Sequence, residues 1–140
     1  MSSRPSRLSW PSAALSLAAA LALLTFSAAA SQAGAPKTLD VQVEPAGVDG
    51  DTIFYNFTVT IAHEDEGWRH FADAFEVLDA ANGKLLGIHR FLHPHEDEQP
   101  FTRTLYRLPV PSSVERVRIR AHDKVHGYEP EPMEVDLPAG

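Results

Sequence analysis

Hydrophobic and polar residues alternate along most of the chain after residue 37, which is the period of a β-strand with one buried face. Turn-forming residues separate the alternating segments, and Pro45-Ala46-Gly47 is expected to end the first of them. No window longer than about ten residues repeats with the helical period, so we expect little helix. The pattern predicts seven strands, near residues 39–43, 52–62, 71–77, 84–92, 101–108, 117–121 and 133–137.

Seven short strands with frequent turns predict an all-β fold, an immunoglobulin-like antiparallel β-sandwich of about seven strands. If consecutive strands run in opposite directions, alternate connections lie at opposite ends of the sandwich. One end, called the top end below, is then formed by residues 63–70, 93–100 and 123–131. The bottom end is formed by residues 45–51, 79–83 and 109–113.

The first 30 residues have the layout of a secretory signal peptide. Arg4 and Arg7 give a basic start, a mostly apolar run of 14 residues spans 13–26, and small residues follow. The run is short for a membrane span. We therefore expect a signal peptide over 1–30 with cleavage near 30–33, a short tail over 31–37 and a β-sandwich domain over 38–140. The expected location is a bacterial periplasm, with no membrane insertion after processing.

Composition narrows the classes of partner. The chain has no cysteine, so we expect neither disulfides nor a lipid anchor at a cysteine. Without Arg4 and Arg7, the remaining 10 basic and 19 acidic residues give a formal charge of −9. Such a surface repels phosphate backbones, which argues against nucleic acid and is compatible with cations or a basic partner.

Six of the seven histidines fall at the predicted top end, and only His89 lies mid-strand. Acidic residues accompany them in the same three connections. Imidazole and carboxylate groups are the usual donors for Zn²⁺ or Cu²⁺, whereas thiolate ligation is excluded without cysteine. The sequence therefore predicts a metal site at the top end, with these candidate ligands: His93, His95 and His126 first, completed by His70, His63 or His122.

His93-Pro94-His95 is the most compact of these motifs. Proline favours an extended backbone at His93, and a polyproline turn would bring both rings toward one side. A third ligand from another loop would then complete the site. The alternative is a rigid loop with incidental imidazoles.

Two aspartates are candidates for holding the ligating imidazoles in place. Asp123 keeps the inward phase of the sixth strand, so it could accept a ring N–H and fix the tautomer. The alternative is an Asx-type turn. Asp73 shares the phase of Phe71 and Phe75, and its alternative is a structural pair with a histidine or an arginine. His63 continues the inward phase of the second strand and should lie over the core.

Three motifs resemble a family of small exported proteobacterial proteins for which no activity is established. They are Trp-x-His-Phe-Ala-Asp at 68–73, His-Pro-His at 93–95 and His-Asp-x-x-His-Gly at 122–127. The resemblance covers most of the chain after the signal peptide. It implies export and a compact domain, and it implies no mechanism.

The favoured function is a periplasmic β-sandwich that binds a divalent transition metal in metal handling or sensing. The alternative is a structural or interaction module that docks a periplasmic protein, in which the loop histidines only form hydrogen bonds. A metal-dependent enzyme is the least favoured reading, because the rim of a small sandwich offers little cleft. A serine-hydrolase triad is not expected, since the only serines after residue 31 are Ser112 and Ser113, at the bottom end.

Overall fold

Eight β-strands carry the fold over the part of the chain that the structure describes, residues 34–140 together with residues 2, 3 and 6. In this computed structural model the strands are β1 (Lys37–Asp49), β2 (Thr52–Ala62), β3 (Ala72–Asp79), β4 (Leu85–Arg90), β5 (Phe101–Pro111), β6 (Arg116–Asp123), β7 (Gly127–Tyr128) and β8 (Met133–Asp136). A single 3₁₀ turn, Gly67–Arg69, lies between β2 and β3. Apart from residues 2, 3 and 6, the predicted signal peptide lies outside the described residues. Within those residues, no helix has the length and apolar character needed to cross a membrane.

The strands form two antiparallel sheets. One has the order β1-β2-β5, and the other has the order β4-β3-β6, with both β7 and β8 paired to β6. The chain therefore passes from one sheet to the other between β2 and β3, between β4 and β5, and between β5 and β6. This is an immunoglobulin-like arrangement, and it confirms the predicted all-β sandwich.

The apolar core lies between the inner faces of the two sheets. Alternate residues of β2 are almost fully buried, as the sequence pattern predicts: Tyr55, Phe57, Val59 and Ile61. Phe75 and Val77 of β3 and Val117 and Ile119 of β6 face them from the other sheet. Each such side chain stabilises the fold by about 1.5–3 kcal/mol on burial, so the core is what holds the loops at either end.

The first strand differs from the prediction. Pro45 to Gly47 do not end it, because the chain continues along β2 as far as Asp49, with a register shift between Pro45 and Gly47. A proline is tolerated there because β1 is an edge strand, and the irregularity accommodates its missing N–H. The turn is made instead by Gly50 and Asp51.

The remaining six predicted strands are present, and β7 is an addition that the alternation did not reveal. Its two residues are too few to show a period. The prediction that alternate connections lie at opposite ends of the sandwich is also confirmed. Strands β2, β4 and β6 all end at the same end where β3 and β5 begin. The three histidine-bearing connections therefore share the top end.

Glu129 joins the first strand to the opposite sheet. Its carboxylate accepts hydrogen bonds from the backbone N–H and the hydroxyl of Thr38 and from the backbone N–H of Ala121. Glu129 is only 5% exposed. The contact links the start of β1, at Thr38, to the end of β6, where Ala121 lies two residues before Asp123.

Replacing Glu129 with alanine should lower the free energy of unfolding by about 3 kcal/mol, because buried donors at Thr38 and Ala121 lose their acceptor. Urea denaturation of the metal-free protein measures the change. The exposed Glu131→Ala is the matched control and should unfold like the wild type. Equal losses in the two variants would contradict the role given to Glu129.

Candidate metal centre

The centre is built around the carboxylate of Asp123, the last residue of β6. His63, just beyond the end of β2, places Nε2 3.1 Å from Asp123 Oδ2. Both side chains are completely shielded from solvent. Because β2 and β6 belong to different sheets, this contact spans the mouth of the sandwich.

Two further imidazoles reach the same oxygen. His70 Nε2 lies 3.5 Å and His126 Nδ1 lies 3.1 Å from Asp123 Oδ2. The two ring nitrogens are 3.2 Å from each other. Three histidines from two loops and a strand end therefore converge on one carboxylate oxygen.

Local backbone structure explains how His126 arrives there. Asp123 Oδ1 accepts the backbone N–H groups of Val125, at 2.7 Å, and of His126. This Asx-type turn folds the chain back, and Gly127 continues it with a positive φ of 77°. The Asx-type turn expected as the alternative is therefore present through Oδ1, while Oδ2 faces the imidazoles.

A different local structure orients His70. The 3₁₀ turn at Gly67–Arg69 begins with a positive φ of 73° at Gly67. The backbone N–H of Glu66 then donates to the carbonyl of His70 at 2.7 Å, which closes the loop. His70 consequently faces inward, with its side chain only 14% exposed.

The contacts to Asp123 Oδ2 have the spacing of neighbouring donors on a bound transition metal. His63, His70 and Asp123 each offer one ligand atom, and the three atoms lie within 4.8 Å of one another. A tetrahedral ion with bonds of about 2.0–2.1 Å separates neighbouring donors by about 3.3–3.4 Å. The three contacts to Asp123 Oδ2, at 3.1–3.5 Å, bracket that value.

Carboxylates stand behind two of the rings. Asp65 Oδ1 lies 2.5 Å from His63 Nδ1, and Glu66 Oε2 lies 3.5 Å from His70 Nδ1. A carboxylate that accepts the Nδ1 proton fixes the tautomer and leaves the Nε2 lone pair for a metal, as in many zinc sites. The Nε2 atoms of both rings are the ones that point at Asp123.

The electrostatics favour an ionised carboxylate. Burial raises the pKa of the Asp123 carboxyl, but the backbone N–H groups of His126 and Val125 outweigh it and hold that pKa below its usual value. Burial lowers the pKa of His70, but the hydrogen bond to Glu66 and the charge of Asp123 outweigh it and leave that pKa raised. The centre therefore presents a negative charge that attracts cations.

The same contacts form a network of hydrogen bonds in the absence of an ion. His63 has acceptors on both sides, Asp65 at Nδ1 and both Asp123 and the carbonyl of Gly34 at Nε2, the last at 2.8 Å. A neutral ring donates from only one nitrogen, and donation from Nδ1 to Asp65 leaves the Nε2 lone pair for an ion in the centre.

Gly34 packs directly against the centre. Its φ is 99°, and a Cβ atom at this position would lie 2.7 Å from His126 Cε1. Glycine is therefore required by backbone conformation and by space at once. The segment that precedes β1 thus covers one side of the site.

The structure separates the candidate ligands into three groups. His63, His70 and His126 converge on Asp123, whereas His93 and His95 lie together, with ring centroids 4.8 Å apart. Among residues 34–140, neither His93 nor His95 joins a group of three metal donors. The predicted core of the site, His93 and His95 with His126, therefore does not form one group, since His126 lies beside Asp123.

His122 and Asp73 form the third group, on the outer face of their sheet. His122 Nδ1 lies 2.5 Å from Asp73 Oδ1, and the ring packs against Tyr128. A register shift between Ala72 and Ala74 breaks the phase on which the inward prediction for Asp73 relied. Asp73 thus pairs with a histidine away from the centre, as the structural alternative had it.

His95 is the most buried histidine of the second group. Its ring stacks on Phe101 at 4.0 Å, and its backbone N–H donates to Asp65 Oδ2 at 2.5 Å. Burial and the charge of Arg103 lower the pKa of His95. Asp65 therefore contacts His63 with one oxygen and the loop of His95 with the other.

Asp65, Glu66 and Gly34 were missed as site residues in the sequence. A signal for Asp65 was present, because the inward phase of β2 continues through His63 to Asp65. The position of Glu66 depends on the 3₁₀ turn, and that of Gly34 depends on the path of the chain before β1. Neither feature produces a periodic pattern in the sequence.

One relative gives a partial match to the chain. It is a protein of the archaeon Halomicrobium mukohataei named "Putative lipoprotein", which is 37% identical over 102 residues. The match covers 73% of this chain and 47% of the relative, so the chain spans about half the length of that protein. An archaeal relative does not support the proteobacterial origin implied by the resemblance. No family model and no solved structure matches the chain.

His89 yields a prediction about pH and stability. Burial, with the charge of Arg103, lowers the pKa of His89 in the fold, so on acidification the unfolded chain takes up this proton first. The contribution of His89 to stability is complete above pH about 6.5 and is lost as the pH falls through its lower folded pKa. His89→Gln should therefore reduce the loss of unfolding free energy between pH about 7.5 and about 5.5, measured by urea denaturation without metal. An undiminished loss in the variant would show that His89 does not titrate in this way.

Proposed function

We propose that this protein binds one divalent transition-metal ion at the centre formed by His63, His70, His126 and Asp123, in metal handling or sensing. The observation that carries the proposal is the convergence of three ring nitrogens on one buried carboxylate oxygen at 3.1–3.5 Å. Histidines that only form hydrogen bonds in loops would not have to meet at one atom. Carboxylates that contact the Nδ1 atoms of two of the rings are a usual feature of metal-binding histidines.

The donor set favours Zn²⁺ or Cu²⁺. Three imidazoles and a carboxylate are borderline nitrogen and oxygen donors, which suit both ions, and no thiolate is available to select Cu⁺. Four protein donors would fill a tetrahedral shell. A closed shell is typical of structural, storage or sensory metal sites rather than of catalytic ones, which keep a position open for water.

The proposed location is outside the cytoplasm, most simply the periplasm. The relative is named as a lipoprotein, and lipoproteins are exported proteins. The basic and apolar pattern of residues 1–30 supports the same location for this chain.

A second candidate function is docking of a partner protein at the top end. The top connections expose large apolar side chains: Trp68 at 65% in the first, Leu92 at 82% just before residue 93, and Val125 at 60% and Tyr128 at 43% in the last. Exposed apolar residues on loops held by a rigid scaffold are typical of interaction surfaces. A partner that recognises these loops would sense the metal state if the ion orders them.

Titration calorimetry of the purified protein with Zn²⁺ and with Cu²⁺ at pH about 7.5 should show binding tighter than about 100 μM. His70→Gln should weaken it more than about 100-fold, since a ligand is lost as well as its supporting contact. His122→Gln is the matched control, because it makes the same change on the outer face and should bind like the wild type. Absence of binding in the wild type, or equal binding in both variants, would refute the centre.

Metal affinity should fall as the solution is acidified. Protons compete with the ion for the imidazole nitrogens, and the raised pKa of His70 starts this competition at higher pH than for a free imidazole. We expect a weaker Zn²⁺ complex at pH about 5.5 than at about 7.5, measured by competition with a chromophoric chelator whose own pH dependence is known. An affinity independent of pH would exclude imidazole ligation.

A further inference from the structure

We infer that His93 and His95 form a second, outer metal site beside the centre. Their ring centroids are 4.8 Å apart. Two imidazoles that bind one ion at about 2.0–2.1 Å place their centroids about 4.5–5.2 Å apart. The two ring pairs of the centre, His63 with His70 and His70 with His126, are both spaced at 4.9 Å. The spacing of the outer pair is therefore compatible with chelation of one ion.

The buried Nδ1 of His95 faces Asp65, which leaves Nε2 as the nitrogen that could bind an ion. His95 is 5% exposed, and its Nδ1 is shielded from solvent without a hydrogen-bond partner. That atom lies 3.6 Å from Asp65 Oδ2. An ion on Nε2 would leave the proton on Nδ1, facing the carboxylate, and a shift of a few tenths of an ångström would complete the hydrogen bond.

His93 is already in the tautomer that the site requires. Its Nδ1 lies 3.0 Å from the carbonyl oxygen of Pro94, and because a carbonyl only accepts, Nδ1 carries the proton. The lone pair on Nε2 is then free for an ion. His93 is exposed, so this ring can meet an ion from solvent.

The surroundings admit a cation. His93 and His95 line a cleft of about 520 Å³ together with Glu96, Asp97 and Glu98. The nearby positive charge of Arg103 is engaged by Glu98 through two contacts of 3.1 Å. The carboxylates of the cleft would supply the charge that a divalent ion needs, and water would complete its coordination.

Asp65 links the outer site to the centre. Its Oδ1 faces His63 Nδ1, and its Oδ2 accepts the backbone N–H of His95. One buried carboxylate thus touches a ligand of each site. A role for the outer pair in passing ions to the centre would rest on the proposed function, whereas the outer site itself does not.

Copper titration followed by calorimetry and by electron paramagnetic resonance tests the outer site. The wild type should bind two Cu²⁺ ions per chain with two distinct spectra at pH about 7.5. His93→Gln should remove one ion and its spectrum while the other spectrum persists. His93 is exposed, so this substitution should leave the fold intact, which circular dichroism verifies.

His70→Gln and His122→Gln separate the two proposals. His70→Gln should remove the other ion and leave the His93-dependent one, and His122→Gln should bind two ions. A wild type that binds a single ion lost only in His93→Gln would support the outer site and refute the centre. Two ions retained in His93→Gln, or a single ion unaffected by it, would overturn the outer site.

Discussion

The top end of this sandwich depends on one buried carboxylate. Asp123 is 0% exposed, and removing an ionised carboxylate from water costs several kcal/mol unless it is fully compensated. Two backbone N–H groups satisfy Oδ1, and imidazoles from two loops and a strand end surround Oδ2. The conformation of residues 123–127 and the inward orientation of His70 both contribute to meeting that requirement.

Asp65 is a second buried carboxylate near the centre that is compensated by hydrogen-bond donors. Its side chain is also fully buried, and it accepts from the His63 ring and from the backbone N–H groups of Ala72 and His95. These acceptors tie the first top loop to the start of β3 and to the second loop of the same end. His95, whose backbone N–H donates to Asp65, packs against Phe101 and Phe91, so polar groups form a layer at this end of the core. A polar layer of this kind is stable only if each member is satisfied, so the unpartnered Nδ1 of His95 stands out within it.

The sequence predicts the scaffold better than the site, for physical reasons. The alternation of apolar residues in β2 arises from one buried face, and the structure reproduces it residue by residue. The placement of alternate connections at opposite ends follows from antiparallel strand pairing. The grouping of histidines depends instead on non-periodic events: the Asx turn at Asp123, the 3₁₀ turn before His70, and the register shift beside Asp73. His93-Pro94-His95 is the most compact motif in the sequence. The grouping of three other histidines is decided instead by the position of one buried acceptor, the carboxylate of Asp123. The continued inward phase from His63 to Asp65 was the one readable sign of the centre's supporting carboxylate.

The donors of the centre come from both sheets, so a bound ion would link the two sheets. His63 follows β2 in one sheet, whereas Asp123 ends β6 in the other, and no disulfide is available to hold them together. An ion bound by both would cross-link the mouth of the sandwich. A ligand present at 100 times its dissociation constant stabilises a fold by about 2.7 kcal/mol, and here that energy would act across the two sheets. Since His70 and His126 lie on the loops that expose Trp68 and Val125, an ion bound by them would act directly on those two loops.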